Sequence, residues 1–272
     1  MNPRPRNLSP QERIIFALDV PSIEEALSLV DELKELISFY KIGLELLMSA
    51  AVGELLRKLR DKKIFVDLKL PDDVPQTVSR VVKVAAENGV RLITLSNSAT
   101  EGTIVAARNG RGDREYPKLL YVPLLSSLDR NDYEQIYGGK RTDFESYLLS
   151  KASTASKAGV DGFIVSGQEI RLLRNQYQDL LLVSPGIRPQ GSSKDDHKRS
   201  CTPTQAIQWG ADYIVVGRPI RDDPNRTDAT RRIIDELESA LADSGLLLGS
   251  LFPAHRTDAT RRIIDELESA LA

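Results

Sequence analysis

The sequence predicts a single-domain (β/α)8 TIM barrel with a duplicated C-terminal helical appendage. Three observations lead there. Eight short apolar, β-branched runs recur along the chain, helix-period stretches lie between them, and several of those stretches close on glycine just before the next run. Near-continuous apolar runs mark strands covered on both faces, as in a parallel sheet. Strand then helix, eight times over, is the barrel pattern. An open doubly wound sheet is the competing architecture. The eight units and the lack of a Gly-x-Gly-x-x-Gly after the first run favour the barrel. A length of 272 residues suits one barrel domain.

The strands are predicted, in order, at "RIIFALDV" (13–20), "FYKIG" (39–43), "KIFVDLK" (63–69) and "RLITLS" (91–96), then at "KLLYVPLL" (118–125), "GFIVSG" (162–167), "LLLVSPGI" (180–187) and "DYIVVGRPI" (212–220). The first helix is expected over 22–36, with Ser22 as N-cap and Glu25 in the capping-box position. Further helices are expected over 44–60, 74–89, 142–159 and 202–210. "ENGV", "KAGV" and "QWGAD" each place a glycine where a helix gives way to the next strand. Trp209 falls in the last short helix and reads as packing.

The C-terminus repeats itself. "RTDATRRIIDELESALA" stands at 226–242 and again, unchanged, at 256–272. The first copy follows strand eight and is expected to be the last barrel helix. The second follows no strand, and solenoid arrays need at least three units. The chain therefore divides into an N-terminal extension (1–11), the barrel (12–242) and an appendage (243–272).

Composition narrows the function. A net charge of −2 offers no electrostatic footprint for nucleic acid or an anionic membrane. Cys201 is the single cysteine, so no intrachain disulfide can form. The first residues lack the apolar core of a signal peptide, and no run of about 18 apolar residues occurs. The expectation is a cytoplasmic protein. There is no His-Glu-x-x-His, Cys-x-x-Cys or Gly-x-x-x-x-Gly-Lys-Ser/Thr. Asp72 and Asp73 have the chemistry to ligate Mg²⁺, but nothing in the sequence demands a metal.

Barrel chemistry sits where strands end and βα loops begin. That filter selects Asp19 after strand one, Lys41 on strand two, and Asp67 and Lys69 on strand three with Asp72 and Asp73 beyond. It also selects Ser126 after strand five, Arg188 after strand seven, and Gly217 and Arg218 after strand eight. Asp67 and Lys69 should share a face, because side chains in a strand alternate with period two. Alternating carboxylates and ammoniums neutralise one another and can hold Lys69 protonated and aimed at a substrate atom. "PGIRP" and "VVGRP" each supply a glycine and an arginine where barrels often hold phosphate.

Together "FALDV", "YKIGLELL", "VDLKLPDDVPQT", "PLLSSLD", "SPGIRP", "DDHKRSCTP" and "DYIVVGRPI" resemble the orotidine 5′-phosphate decarboxylase family, in the family's order and over about residues 12–242. The resemblance implies a homodimer that decarboxylates orotidine 5′-monophosphate to UMP without a cofactor. It implies that Asp19 binds the ribose and that Lys41 belongs to the charge network. Asp67 would lie near the substrate carboxylate, and Lys69 would protonate C6. Ser126 would contact the pyrimidine, in place of the usual Thr. Arg188, Gly217 and Arg218 would grip the phosphate, and Thr77 would reach the partner's site.

Two departures stand out. The family writes Asp-x-Lys-x-x-Asp-Ile/Val-Pro-x-Thr, and "DLKLPDDVPQT" has one residue more. Counting forward from Lys69 selects Asp72 as the second acid reaching the partner's site. Counting back from "VPQT" selects Asp73, the preferred choice because that unit travels with the helix it opens. His197 stands where the family usually has Gln, and a histidine there could donate to phosphate with a pH-dependent charge. Two other functions remain open. One is a Mg²⁺-dependent sugar-phosphate lyase or decarboxylase on the same barrel. The other is a non-catalytic binder of nucleotide phosphates.

Overall fold

The computed structural model describes residues 5, 7–49, 52–138, 140, 143–190 and 199–243. Eight parallel strands close into a barrel in sequential order. They are β1 (Ile14–Leu18), β2 (Phe39–Ile42), β3 (Lys63–Leu70), β4 (Leu92–Leu95), β5 (Lys118–Tyr121), β6 (Gly162–Ile164), β7 (Leu181–Ser184) and β8 (Tyr213–Val216). Each lies within, or at most one residue beyond, its predicted run. Closure comes from β8 pairing β1, with Ile14 opposite Ile214 and Phe16 opposite Val216.

Side-chain alternation splits the apolar residues into two layers. Ile15, Ala17, Phe39, Phe65, Leu92, Leu120, Val183 and Val215 fill the barrel interior. Ile14, Phe16, Leu18, Tyr40, Ile64, Val66 and Ile93 face outward and pack under the helices. Both faces are apolar, which is why the strands read as unbroken hydrophobic runs.

The helices are α1 (Ile23–Leu33), α2 (Leu44–Leu47), α3 (Val52–Lys58), α4 (Pro75–Glu87), α5 (Glu101–Arg111), α6 (Arg130–Tyr137), α7 (Phe144–Ala158), α8 (Glu169–Gln176), α9 (Pro203–Gln208), α10 (Arg218–Arg221) and α11 (Arg226–Asp243). Ser22 caps α1 by accepting from the Glu25 N–H at 3.1 Å. The reciprocal capping boxes form elsewhere, at Asp129 with Asp132 and at Thr202 with Gln205. Gly89, Gly159 and Gly210 take φ of +73°, +93° and +101° at helix ends, the left-handed stop that glycine adopts without a Cβ penalty.

Two features depart from the sequence expectation, and a third, the helix expected of the first repeat copy, is found. The stretch 44–60 is two helices. After α2 the Ser49 N–H bonds back only three residues, to the Leu46 carbonyl at 3.1 Å, so the turn tightens and the axis breaks. Helices α5, α6, α8 and α10 complete the pattern where no helix was singled out from sequence. The first copy of the repeat forms α11 and buries Ile233, Ile234, Leu237 and Leu241 against the barrel. The second copy, 256–272, lies outside the described residues.

A buried ion pair ties α8 to the last two strands. Arg174 Nη2 donates to Asp212 Oδ2 at 2.8 Å, with side chains 9% and 3% exposed. The same carboxylate oxygen accepts the Leu182 N–H, while Arg174 also donates to the carbonyls of Tyr177, Gln178, Leu180 and Gly210. Removing one partner leaves the other charge buried. Asp212→Ala should therefore lose about 3 kcal/mol or more of stability, read as a lower urea midpoint at unchanged m-value.

Candidate active site

Strand parity selects what enters the barrel mouth. Continuing the interior column of five of the strands by two residues gives Asp19 after Ala17, Lys41 after Phe39, Asp67 after Phe65, Thr94 after Leu92 and Gly217 after Val215. These residues, except Thr94, line one cavity of about 610 Å³ together with Lys69, Ser126, Gly186, Arg188, Arg218 and Arg221.

One wall of that cavity is a chain of alternating charge. Asp19 Oδ1 lies 2.8 Å from Lys41 Nζ, Lys41 Nζ lies 3.8 Å from Asp67 Oδ2, and that oxygen lies 2.8 Å from Lys69 Nζ. Thr94 donates to the other Asp67 oxygen at 2.8 Å. Burial opposes ionisation of Asp67. The charges of Lys41 and Lys69 and the bonds from Lys69 and Thr94 outweigh it and hold the carboxyl below its ordinary value. Gly43 makes the crowding possible: a Cβ there would come within 2.9 Å of Asp19 Oδ1 and 3.3 Å of Lys41 Nζ.

Asp67 and Lys69 do face the same space, but not through plain strand alternation. The β3–β4 register runs from Val66 opposite Ile93 directly to Leu70 opposite Leu95. Three residues of β3 thus oppose one of β4, a bulge that re-aims side chains. Lys69 has φ +48°, the one positive φ of a non-glycine residue among those described. Period two gave the right grouping for an incomplete reason.

The adjoining wall carries the arginines. Arg188 is 8% exposed, its main-chain N–H donates to the Cys201 carbonyl, and its Nη1 donates to the Ile187 carbonyl at 2.8 Å. Gly217 and Arg218 lie at the start of α10. Arg221, one turn later, lines the same cavity and donates through Nη1 to the Asp19 carbonyl at 2.7 Å. The sequence filter missed Arg221, although its spacing of three from Arg218 in "GRPIR" was the available signal. Arg199 turns away from the cavity. It donates to the Leu128 and Leu125 carbonyls at 2.8 and 2.7 Å and pairs with Glu169, so it braces the loop that carries Ser126.

Asp72, Asp73 and Thr77 do not line the cavity of their own chain. Asp72 accepts from the Thr100 hydroxyl at 2.8 Å and from the Thr103 hydroxyl, and these bonds, led by that from Thr103, hold its carboxyl below the ordinary value. Asp73 is exposed and accepts the Val74 N–H at 2.6 Å. Thr77, in the first turn of α4, lines a shallow groove with Arg80, Val81 and Val84. His197 lies outside the described residues. Among the described residues, no three His, Cys, Asp or Glu side chains gather as a metal site requires, and no helix is long and apolar enough to cross a membrane.

The chain matches the model of the orotidine 5′-phosphate decarboxylase / HUMPS family over residues 12–233. It is similar to an orotidine 5′-phosphate decarboxylase of Methylococcus capsulatus, with 42% identity over 235 residues that span 85% of this chain and 94% of the relative. A second, from Pseudomonas fluorescens, is 39% identical over 231 residues, covering 84% and 97%. Among solved structures it is similar to an orotidine 5′-phosphate decarboxylase from Lactobacillus acidophilus, with TM-score 0.70 and 32% identity over 82% of this chain and 98% of that one.

The depressed carboxyl of Asp67 has a pH signature. A group whose folded pKa lies below its unfolded value near about 3.9 contributes stability above that value and loses it as pH falls through the folded pKa. The stability difference between the native chain and Asp67→Asn should be flat above about pH 5. Below about pH 4 it should move steadily in favour of the variant, in urea titrations across that range. A difference that stays flat throughout the acid range would contradict the assignment.

Proposed function

Because the chain belongs to the orotidine 5′-phosphate decarboxylase / HUMPS family, we propose that Lys69 is the acid that protonates C6 when orotidine 5′-monophosphate loses CO₂. The reaction yields UMP, in pyrimidine biosynthesis. The observation that carries the assignment is the Asp19–Lys41–Asp67–Lys69 chain in a cavity that Arg188 and Arg218 also line.

The bond between C6 and the carboxyl carbon breaks, and its electron pair remains on C6. The Lys69 ammonium stabilises that developing charge and then transfers a proton to it. Asp67, kept ionised, holds the ammonium and stands beside the departing carboxylate. Lys41 bridges Asp67 to Asp19, and Asp19 is placed to bind the ribose. Ser126 faces the pyrimidine. Arg188, Gly217 and Arg218 take the phosphate, Arg bidentately. Binding energy gained at that remote group can be used to orient the ring over Lys69. Orotidylate consumed with UMP formed, followed by ultraviolet absorbance without added metal, tests the activity. Lys69→Ala should lose at least about a thousandfold in turnover while still binding UMP. A variant that keeps its turnover would refute the role.

The active unit is a homodimer in which Asp73 and Thr77 enter the partner's cavity. Three observations support this. Asp72 is engaged by Thr100 and Thr103 of its own chain, Asp73 is exposed, and Val84, 56% exposed, leaves apolar surface in the groove that Thr77 lines. Sharing of sites has a distinctive test. Lys69→Ala and Asp73→Asn should each be inactive alone. Mixed and reassorted, they should recover about a quarter of native activity, because a mixed dimer keeps one intact site. Asp72→Asn should lose α5 stability rather than complement. No recovery on mixing would refute the trans role of Asp73.

A further inference from the structure

We infer that Thr94 is a positioning residue for the reaction: its hydroxyl sets both the main chain of Lys69 and the carboxylate of Asp67, and so places the ammonium. This rests on the proposed role of Lys69. The register shift leaves Asp67, Leu68 and Lys69 facing a single β4 residue, Thr94. In an unbroken ladder the Lys69 N–H would find a main-chain carbonyl. Here it donates to Thr94 Oγ1 at 2.8 Å. The same oxygen donates to Asp67 Oδ1 at 2.8 Å. A hydroxyl can accept and donate at once, which few side chains of this size can do.

Both bonds act on groups that need holding. Lys69 sits at φ +48°, a conformation that L-residues avoid unless the surroundings over-determine it. Asp67 has a second oxygen committed to Lys69 at 2.8 Å, so the Thr94 bond fixes the rotation of the carboxylate plane. Thr94 itself is fully buried and cannot swing away. The 2.8 Å contact between Lys69 Nζ and Asp67 Oδ2 is thereby anchored at both ends, one through the main chain and one through the carboxylate.

The test is a hydroxyl deletion with a conservative rescue. Thr94→Val keeps the shape and removes both bonds. Its kcat should fall about tenfold to a hundredfold with KM for orotidine 5′-monophosphate within about threefold, because the phosphate grip is untouched. Thr94→Ser should restore kcat to within about threefold of native. Native kcat in the Val variant, or a Ser variant no better than Val, overturns the inference. If Thr94→Val does not fold, Thr94→Ala against Thr94→Ser makes the same comparison, since those two differ only in the hydroxyl. A readout independent of turnover separates this inference from the role of Lys69. The Asp67 carboxyl carbon, titrated by NMR, should show a higher midpoint in Thr94→Val, because a donor to the ionised form is gone. Among the described residues of the chain, Lys41 and Lys69 are the charged groups facing Asp67, Asp19 reaches it through Lys41, and the substitution changes none of them. An unchanged midpoint overturns the inference even if native turnover is normal. Absent native turnover with a raised midpoint refutes the Lys69 role and leaves the Thr94 geometry standing.

Discussion

The ionised carboxylate of Asp67 is the constraint around which the site is arranged. It is only 15% exposed, so water contributes little to its solvation. A charge in that position is costly unless paired and hydrogen-bonded. Lys41, Lys69 and Thr94 supply what water does not. Lys41 in turn has a second carboxylate, Asp19, and the glycine at 43 leaves the room for that pair. Each member is explained by the need of the one before it. The free end of the chain of charge is Lys69, 36% exposed and directed into the cavity. A site built this way presents an ammonium to substrate without an extra positive charge to be neutralised elsewhere.

The bulge in β3 is the structural cost of that arrangement. A regular strand would carry Lys69 along the barrel wall, and its N–H would be used in the ladder. The register shift releases the main chain where charge chemistry begins and resumes pairing at Leu70, whose carbonyl accepts the Ser96 N–H at 2.8 Å. Strained backbone at a functional position is held by rigid surroundings. Those surroundings are here the packed interior of Phe65 and Leu92 below and the resumed ladder above.

The barrel and most of the site were legible in the sequence, for a common reason. Strands buried on both faces leave an unbroken apolar record, and charged residues at the mouth ends of β1, β2, β3, β7 and β8 break it. Asp19, Lys41, Asp67, Arg188 and Arg218 were found that way, and each lines the cavity. Thr94 was not found, because a threonine in "RLITLS" is ordinary strand composition and its role depends on a register shift that no local pattern records. Counting gave both Asp72 and Asp73, and preferred Asp73 only because "VPQT" travels with the helix it opens. What the sequence does not record is that Asp72 accepts from the hydroxyls of Thr100 and Thr103, contacts that only folding creates. Helix α5 escaped notice because Gly102 and Gly110 interrupt its periodicity. Gly110 is required by close packing, as a Cβ there would lie 2.0 Å from the Ser79 carbonyl oxygen of α4.

Barrel closure gives the two walls of the cavity a mechanical connection. The charge chain is carried by β1, β2 and β3, and the arginines follow β7 and β8, so by sequence they are the two ends of the domain. Pairing of β8 with β1 makes them neighbours. Asp19 sits at that seam. Its side chain pairs with Lys41, and its main-chain carbonyl accepts from Arg221, which lines the arginine wall. The arginine wall and the charge chain therefore meet at one residue, Asp19. Binding energy from a remote phosphate helps chemistry only if it is transmitted to the reacting atoms. The path from Arg221 through Asp19, Lys41 and Asp67 to Lys69 is hydrogen-bonded or ion-paired between successive residues, and runs from α10 through the end of β1 to β2 and β3. The closed barrel supplies that connection by placing its last strand against its first.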